Sequence, residues 1–113
     1  MNSKEVIEKL NLEAHIEGGY FRRTYQSPNQ HNNCLFMSVI YYMLTSDSPV
    51  NHWHLNKSDI MHFHLQGASI RVFLIYPDGR LEEHILGQNI AKGEVLQVLV
   101  PGNTWKGCYL TEG

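Results

Sequence analysis

The chain has 113 residues, enough for one domain with a buried core and too few for two. Its net charge is −2 and its basic residues form no run, which argues against a nucleic-acid partner. The N-terminal residues lack the apolar core of a signal peptide, and no segment reaches the length of a membrane span, so we predict a cytoplasmic protein without a membrane partner. Cys34 and Cys108 are too far apart for a Cys-x-x-Cys pair and are predicted to be reduced thiols.

The N-terminal segment is predicted to contain the only helix. Ser3 is the predicted N-cap, and Val6, Ile7 and Leu10 would lie on one side of the helix, as in a lid against the main body. From Gly18 onward, short runs rich in β-branched and aromatic residues alternate with turn residues, which is typical of a sandwich or barrel. We therefore predict an all-β domain with a short N-terminal helix.

The predicted strands follow one another at regular intervals. Two of them carry histidines and flank residues 56–59, where Asn, Ser and Asp favour a turn. Pro77, Asp78 and Gly79 predict a tight hairpin, because Pro fixes φ and Gly accepts a positive φ. The other predicted strands are residues 19–26, 38–44, 70–76, 80–86, 95–100 and 105–110. About eight short strands fit either a double-sheet jelly roll or a small up-and-down barrel, and both enclose a central space.

Residues 52–67 hold four of the seven histidines. They form two His-x-His pairs, His52 with His54 and His62 with His64, and residues two apart on a strand point to the same face. Each pair is predicted to aim two imidazoles at one place, where they could donate and accept protons near neutral pH. We predict His54, His62 and His64 as catalytic residues. For His62 and His64, hydrogen bonding within the core is an equal alternative.

Two groups of residues carry a resemblance to a known superfamily. Two histidines, an acid and a glycine lie at His52, His54, Asp59 and Gly67, and a second group lies at Gly93, Pro101 and Gly102. These groups resemble the two motifs of the cupin superfamily, whose members are jelly-roll barrels with a ligand pocket in the mouth. Trp105 stands near the place of the histidine that usually ends the second motif. The resemblance implies a double-stranded β-helix, the jelly-roll cupin barrel, as a single domain over residues 1–113.

More specifically, the chain resembles a single-domain cupin family of unassigned function whose members open with a Glu-Gly-Gly-Tyr strand. The matching motifs, in order, are Glu17-Gly18-Gly19-Tyr20, Thr24, Ser58-Asp59, Leu86-Gly87, Val100-Pro101 and Trp105. This chain departs from the family in three ways. Ile60 replaces a common Glu, Arg23 replaces an acidic residue, and Gly113 ends the chain before the usual last strand. The domain is therefore expected to be short at its C-terminus relative to that family.

A metal site is compatible with the same motifs. First-row divalent metals favour imidazole and carboxylate ligands, and one hairpin would supply His52, His54 and Asp59. Because Ile60 and Trp105 stand where the family has further ligands, and affinity follows ligand count, we expect weak metal loading. No cofactor is assigned beyond this divalent transition metal.

Other side chains are predicted to bind a small-molecule ligand. Aromatic residues pack in cores or interfaces more often than they bind ligands, but in a pocket mouth they would stack on a planar or sugar-like molecule. Charged residues on either side of Gly18-Gly19 would bond a polar ligand or pair with each other on the surface. The predicted ligand-binding residues are Glu17, Tyr20, Arg22, Tyr41 and Trp105.

The leading functional prediction is a small-molecule-binding cupin, a sugar or nucleotide-sugar isomerase or epimerase that uses histidine as the base. It follows partly from the resemblance, and a fold does not fix a function. The alternatives are a metal-dependent oxygenase with a two-His-one-carboxylate site at His52, His54 and Asp59, and a non-catalytic ligand-binding module. The aromatic strand at residues 19–26 would leave an apolar sheet edge open to solvent, so we predict a homodimer.

Overall fold

The structure is a computed structural model that describes residues 1–28, 30–31, 34–35 and 37–111. Its elements in these ranges are one α-helix, α1 (Ser3–Lys9), one 3₁₀ turn (Ile90–Lys92) and strands, so the prediction of a β-dominated domain with a short N-terminal helix is confirmed. The strands are β1 (Glu13–Ala14), β2 (Tyr20–Gln26), β3 (Gln30–His31), β4 (Cys34–Leu35), β5 (Ser38–Met43), β6 (Val50–Asn56), β7 (Ile60–Phe63), β8 (Ile70–Ile75), β9 (Leu81–Leu86), β10 (Gln97–Val100) and β11 (Thr104–Leu110). No described helix is long and apolar enough to cross a membrane.

The N-cap of α1 is Asn2, and the prediction of Ser3 is wrong by one residue. The Asn2 side chain accepts a hydrogen bond from the Glu5 backbone N–H at 2.9 Å, and the Glu5 carboxylate accepts one from the Asn2 N–H at 3.4 Å. Both Asn and Ser cap helices well, and the acid three residues after Asn2 completes a capping box that Ser3 would lack. Val6 and Ile7 are only partly buried, so α1 covers the body loosely.

Two sets of strands enclose the core. One is a four-stranded antiparallel sheet in the order β6-β11-β8-β9, and the other comprises β1-β2-β5 and β10-β7. Within the described residues, β3 and β4 form a separate two-stranded pair. Inward side chains of the first sheet pack against those of β10. They are Val72, Leu74, Leu86 and Cys108 on one side and Val98 and Val100 on the other. Cys108 is a free thiol in this core, whereas the side chain of Cys34 lies outside the described part of the chain.

The β8-β9 hairpin forms where the sequence predicts it. The two strands pair from Ile70 opposite Leu86 to Ile75 opposite Leu81. Gly79 has a φ of 87° and closes the turn with a 2.9 Å bond from its N–H to the Tyr76 carbonyl oxygen. This positive φ is the reason that the turn needs glycine.

The two histidine strands, by contrast, belong to different sheets. Strand β6 pairs with β11, whereas β7 pairs with β10. The turn at residues 56–59 therefore carries the chain from one sheet to the other, and the two strands do not form the single hairpin expected from the sequence. As a result, histidines of β6 and β7 approach each other across the interior.

Candidate functional site

A bulge in β6 decides where its histidines point. On β11, Lys106 pairs with His54 and Cys108 pairs with Asn51, so β6 has one extra residue in this interval. Asn51 and His54 therefore both face inward, although they are three residues apart. His52 is exposed. The prediction that His52 and His54 share one face is wrong for this reason.

Lys106 and three histidines come together between the sheets. The Nζ atom of Lys106 lies 3.1 Å from Nε2 of His62, and His54 is the direct neighbour of Lys106 on β6. His15 follows β1. Burial lowers the pKa of His15 most, and nearby His54 and Lys106 lower it further, while Glu17 raises it. We call His15, His54, His62 and Lys106 the histidine-lysine cluster.

The cluster holds a buried amine beside a neutral imidazole. Burial lowers the pKa of His62 to about 3, with smaller contributions from Lys106 and His54. Lys106 is only 6% exposed, and burial lowers the pKa of its amine as well. Among the described residues, no carboxylate lies within ion-pair distance of Lys106. Within the described residues, a cationic Lys106 therefore has a hydrogen-bond partner in His62 but no opposite charge beside it.

Backbone contacts fix the proton positions on two of the rings. Nδ1 of His54 lies 2.8 Å from the His52 carbonyl oxygen, which can only accept, so a neutral His54 carries its proton on Nδ1 and has a lone pair on Nε2. The Glu17 backbone N–H donates to Nδ1 of His15 at 3.0 Å, so a neutral His15 carries its proton on Nε2. His54 can thus accept a proton at Nε2, and His15 can donate one.

A polar layer around Tyr42 supports the cluster. Asn51 Nδ2 donates to the Tyr42 hydroxyl at 2.7 Å, and that hydroxyl donates to the Gly18 carbonyl oxygen. The Tyr42 and His15 rings meet edge to face, with centroids 5.8 Å apart. Gly18 has a φ of 103°, and a Cβ there would lie 1.9 Å from the Val50 carbonyl oxygen. The glycine pair of the opening motif thus permits a close backbone approach.

His64 is occupied by contacts within the protein. Its Nε2 donates to the Ala68 carbonyl oxygen at 3.0 Å, and its Nδ1 accepts from Gln88 Nε2 at 2.8 Å. The side chain is buried. Because both ring nitrogens already have partners, this geometry favours the hydrogen-bonding alternative over a catalytic role for His64.

Tyr20, Arg22 and Tyr41 lie on the face of β2 and β5 that points away from the cluster. The inward face is marked by Phe21 and Tyr42, which pair across the two strands and both contact the His15 ring. On the opposite face, Arg22 donates to a backbone carbonyl oxygen at 2.6 Å, and its guanidinium lies 5.7 Å from the Tyr41 ring centre. The Tyr20 hydroxyl donates to the Asp47 carboxylate, in the turn after β5, at 2.9 Å.

Trp105 also points away, and Glu17 is the one predicted ligand-binding residue beside the cluster. Lys106 and Cys108 face inward on β11, so Trp105 is on the outer face, where it is 47% exposed. Glu17 influences the pKa of both His15 and Tyr42. The single pocket that the sequence predicts, with Tyr20, Arg22, Tyr41 and Trp105 as walls, is therefore not formed.

The predicted metal ligands do not converge either. His54 keeps a lone pair on Nε2, but His52 is exposed and does not face inward with it, and Asp59 accepts from the Gly102 N–H at 2.8 Å. Within the described ranges, no three His, Cys, Asp or Glu side chains are arranged to hold a metal ion. These residues do not fit the two-His-one-carboxylate site of the oxygenase alternative.

His15 and Lys106 are the cluster members that the sequence interpretation missed. His15 is not part of a His-x-His pair, and its signal was its place just before the Glu-Gly-Gly-Tyr motif. Lys106 interrupts an otherwise uncharged strand, residues 104–110. An inward lysine on such a strand is unusual and could have been singled out on that ground.

Two sets of antiparallel strands around an interior polar cluster are the architecture expected of a cupin barrel. The chain belongs to the family described as Cupin superfamily (DUF985), whose model matches residues 4–113. It is 34% identical over 122 residues to the uncharacterized protein YML079W of Saccharomyces cerevisiae, across 95% of this chain and 60% of that protein. The chain thus spans less than two thirds of that relative's length.

Solved structures support the same assignment. The fold matches protein SO0799 from Shewanella oneidensis with a TM-score of 0.89 and 34% identity, over 99% of this chain and 71% of that one. It matches a hypothetical protein from Leishmania major with a TM-score of 0.88 and 25% identity, over 100% and 73% of the two chains. The predicted cupin fold is confirmed. These names carry no substrate, so the function has to be argued from the site.

Proposed function

We propose that the chain binds a small sugar or nucleotide sugar at the histidine-lysine cluster and acts as an isomerase or epimerase. The observation that carries this proposal is that Nε2 of His54 is left as a proton acceptor, while His54 pairs across the sheet with the buried Lys106. Removing a C–H proton next to a carbonyl group needs a base and a group that stabilises the charge developing on oxygen. His54 supplies the base and Lys106 the stabilising amine.

His62 has a positioning role in this proposal. Its Nε2 lies 3.1 Å from Lys106 Nζ, and burial keeps the ring neutral by lowering its pKa to about 3. A neutral imidazole accepts a hydrogen bond from the amine without adding charge repulsion. Glu17 and the Nε2–H of His15 are proposed to bond oxygen atoms of the ligand.

Deuterium exchange at the reacting carbon tests the proposal. A panel of reducing sugars and nucleotide sugars would be incubated with the protein in D₂O and followed by proton NMR. We expect exchange with at least one compound, and a loss of about 100-fold in His54→Gln with ligand affinity retained. The matched control is His84→Gln, which lies on β9 against Glu82.

The same experiment separates the remaining alternatives. Ligand binding without exchange for any compound would identify a non-catalytic binding module. Exchange that is equally fast in His54→Gln and in the wild type would refute the assigned base. Absence of both binding and exchange would refute the site.

We also propose that the protein is a homodimer, and its cytoplasmic location stays a prediction. Strand β1 covers only Tyr20 and Phe21 at one edge of β2. In addition, the outer face of the four-stranded sheet exposes Trp53, Trp105 and Tyr109 by 48%, 47% and 37%. Apolar surface of this kind is usually covered by a partner.

A further inference from the structure

We infer that Lys106 is the binding point for a carboxylate of the ligand, so that the ligand is a small monocarboxylic acid such as a sugar acid. This inference rests on the proposed ligand site at the histidine-lysine cluster and names the class of molecule that the site takes. It starts from the position of the amine. Lys106 is 6% exposed, and its hydrogen-bond partner among the described residues is the imidazole of His62.

A buried cation needs an opposite charge. Moving an ammonium group out of water is costly unless an anion compensates for the lost hydration. His62 offers a lone pair at 3.1 Å but no charge, and the described part of the chain places no carboxylate within ion-pair distance of the amine. A bound anion would supply the missing charge. It would offset the lost hydration of the buried ammonium group, and this gain would add to the free energy of anion binding.

The charges around the amine select a monoanion. Burial lowers the pKa of His15 and His62, so both rings are neutral at pH 7, and it raises the pKa of the Cys108 thiol, which also stays neutral. With His54 as the neutral base of the proposed function, Lys106 is then the one cation of the cluster. A carboxylate has the matching single charge. A phosphate monoester carries about −1.5 to −2 and would leave negative charge buried near Glu17, which already acts on His15.

Two donors suit the two oxygens of a carboxylate. Lys106 can donate from Nζ, and His15 can donate from Nε2, because its Nδ1 already accepts from the Glu17 N–H. His54 donates from Nδ1 to the backbone and keeps its Nε2 lone pair as the base. With the ligand carboxylate held by Lys106 and His15, His54 is free to take the proton from the carbon next to it, and the charge that develops lies on the carboxylate oxygens that Lys106 binds.

Acetate and acetamide provide a matched pair of probes, since they have nearly the same shape and differ in charge. Each would be titrated at pH 7 and constant ionic strength, with the imidazole NMR signals of His62 and His15 as the readout. We expect acetate to shift these signals in a saturable way and acetamide to bind at least about tenfold more weakly. Inorganic phosphate should also bind more weakly than acetate.

Lysine variants locate the effect. Lys106→Met should weaken acetate binding at least about tenfold, whereas the control Lys57→Met, in the exposed turn after β6, should bind acetate as the wild type does. Equal binding of acetate and acetamide by the wild type would overturn the inference without any variant. So would unchanged acetate affinity in Lys106→Met, or tighter binding of phosphate than of acetate.

These results are separable from those of the deuterium-exchange experiment. Exchange on neutral sugars with no preference for acetate over acetamide would keep the proposed function and refute the carboxylate. Acetate selectivity that depends on Lys106, with no exchange on any compound, would keep the carboxylate and refute the isomerase or epimerase activity.

Discussion

Replacing His62 should remove an acid-sensitive part of the free energy of unfolding. Burial lowers the pKa of His62 from 6.5 to about 3 in the folded chain. Below pH 6.5 the unfolded chain therefore binds a proton at His62 that the folded chain does not bind. The contribution of His62 to stability is fully present above pH 6.5 and is lost as the pH falls towards 3.

The size of the effect follows from this difference. One proton changes the free energy of unfolding by about 1.4 kcal/mol per pH unit inside the window, so acidification from pH 7 to pH 5 costs about 2 kcal/mol at most. In His62→Gln the amide oxygen can still accept from Lys106, but no ring titrates. Urea unfolding at both pH values should show the variant losing about 2 kcal/mol less than the wild type. His52→Gln, at an exposed histidine, is the control. Equal losses in His62→Gln and the wild type would refute a neutral, buried His62.

Four further outcomes are expected. Lys106→Met should raise the free energy of unfolding at neutral pH, because it removes a buried amine. In urea titrations this gain should shrink as the pH rises towards 10.5, because the folded wild type loses the Lys106 proton before the unfolded chain does. A gain that stays constant with pH would contradict this. His64→Ala should cost about 1–3 kcal/mol in urea unfolding, since it removes the two hydrogen bonds of a buried ring, and acetate affinity should stay within about twofold. Light scattering should return twice the chain mass of 13.0 kDa, and a particle of 13.0 kDa would refute the homodimer. Dialysis against a chelator should leave deuterium exchange unchanged, because His52, His54 and Asp59 do not converge, whereas recovery of lost activity by one divalent metal would contradict that reasoning.

Much of the fold could be predicted because its signals are local. The Pro-Asp-Gly turn and the apolar run before it specify the β8-β9 hairpin within a residue of its observed bounds. Alternating side chains and turn residues likewise located β2, β5 and β11 to within about one residue at each end. The two-residue strands β1, β3 and β4 were not predicted, because strands this short show no periodic pattern.

The site was harder to predict because it depends on pairing between distant strands. The rule that residues two apart share a face holds only for a regular strand, and the bulge in β6 breaks it between Asn51 and His54. Nothing in the His-x-His sequence indicates that bulge, since it exists only opposite β11. The sheet to which β7 belongs is set in the same way, by its contact with β10.

The register of β11 explains why a lysine occupies the interior. Thr104 and Cys108 are buried on one face, while Trp53 packs so closely over Gly107 on the other that a Cβ there would lie 3.1 Å from the ring. A shift of one residue would bury Trp105 in place of Lys106, but it would also move Cys108 out of the core and Gly107 away from Trp53. Packing along the whole strand therefore holds the amine inside despite its electrostatic cost. A group kept buried by its neighbours, without a counter-charge among the described residues, is poised to bind an anion from solution.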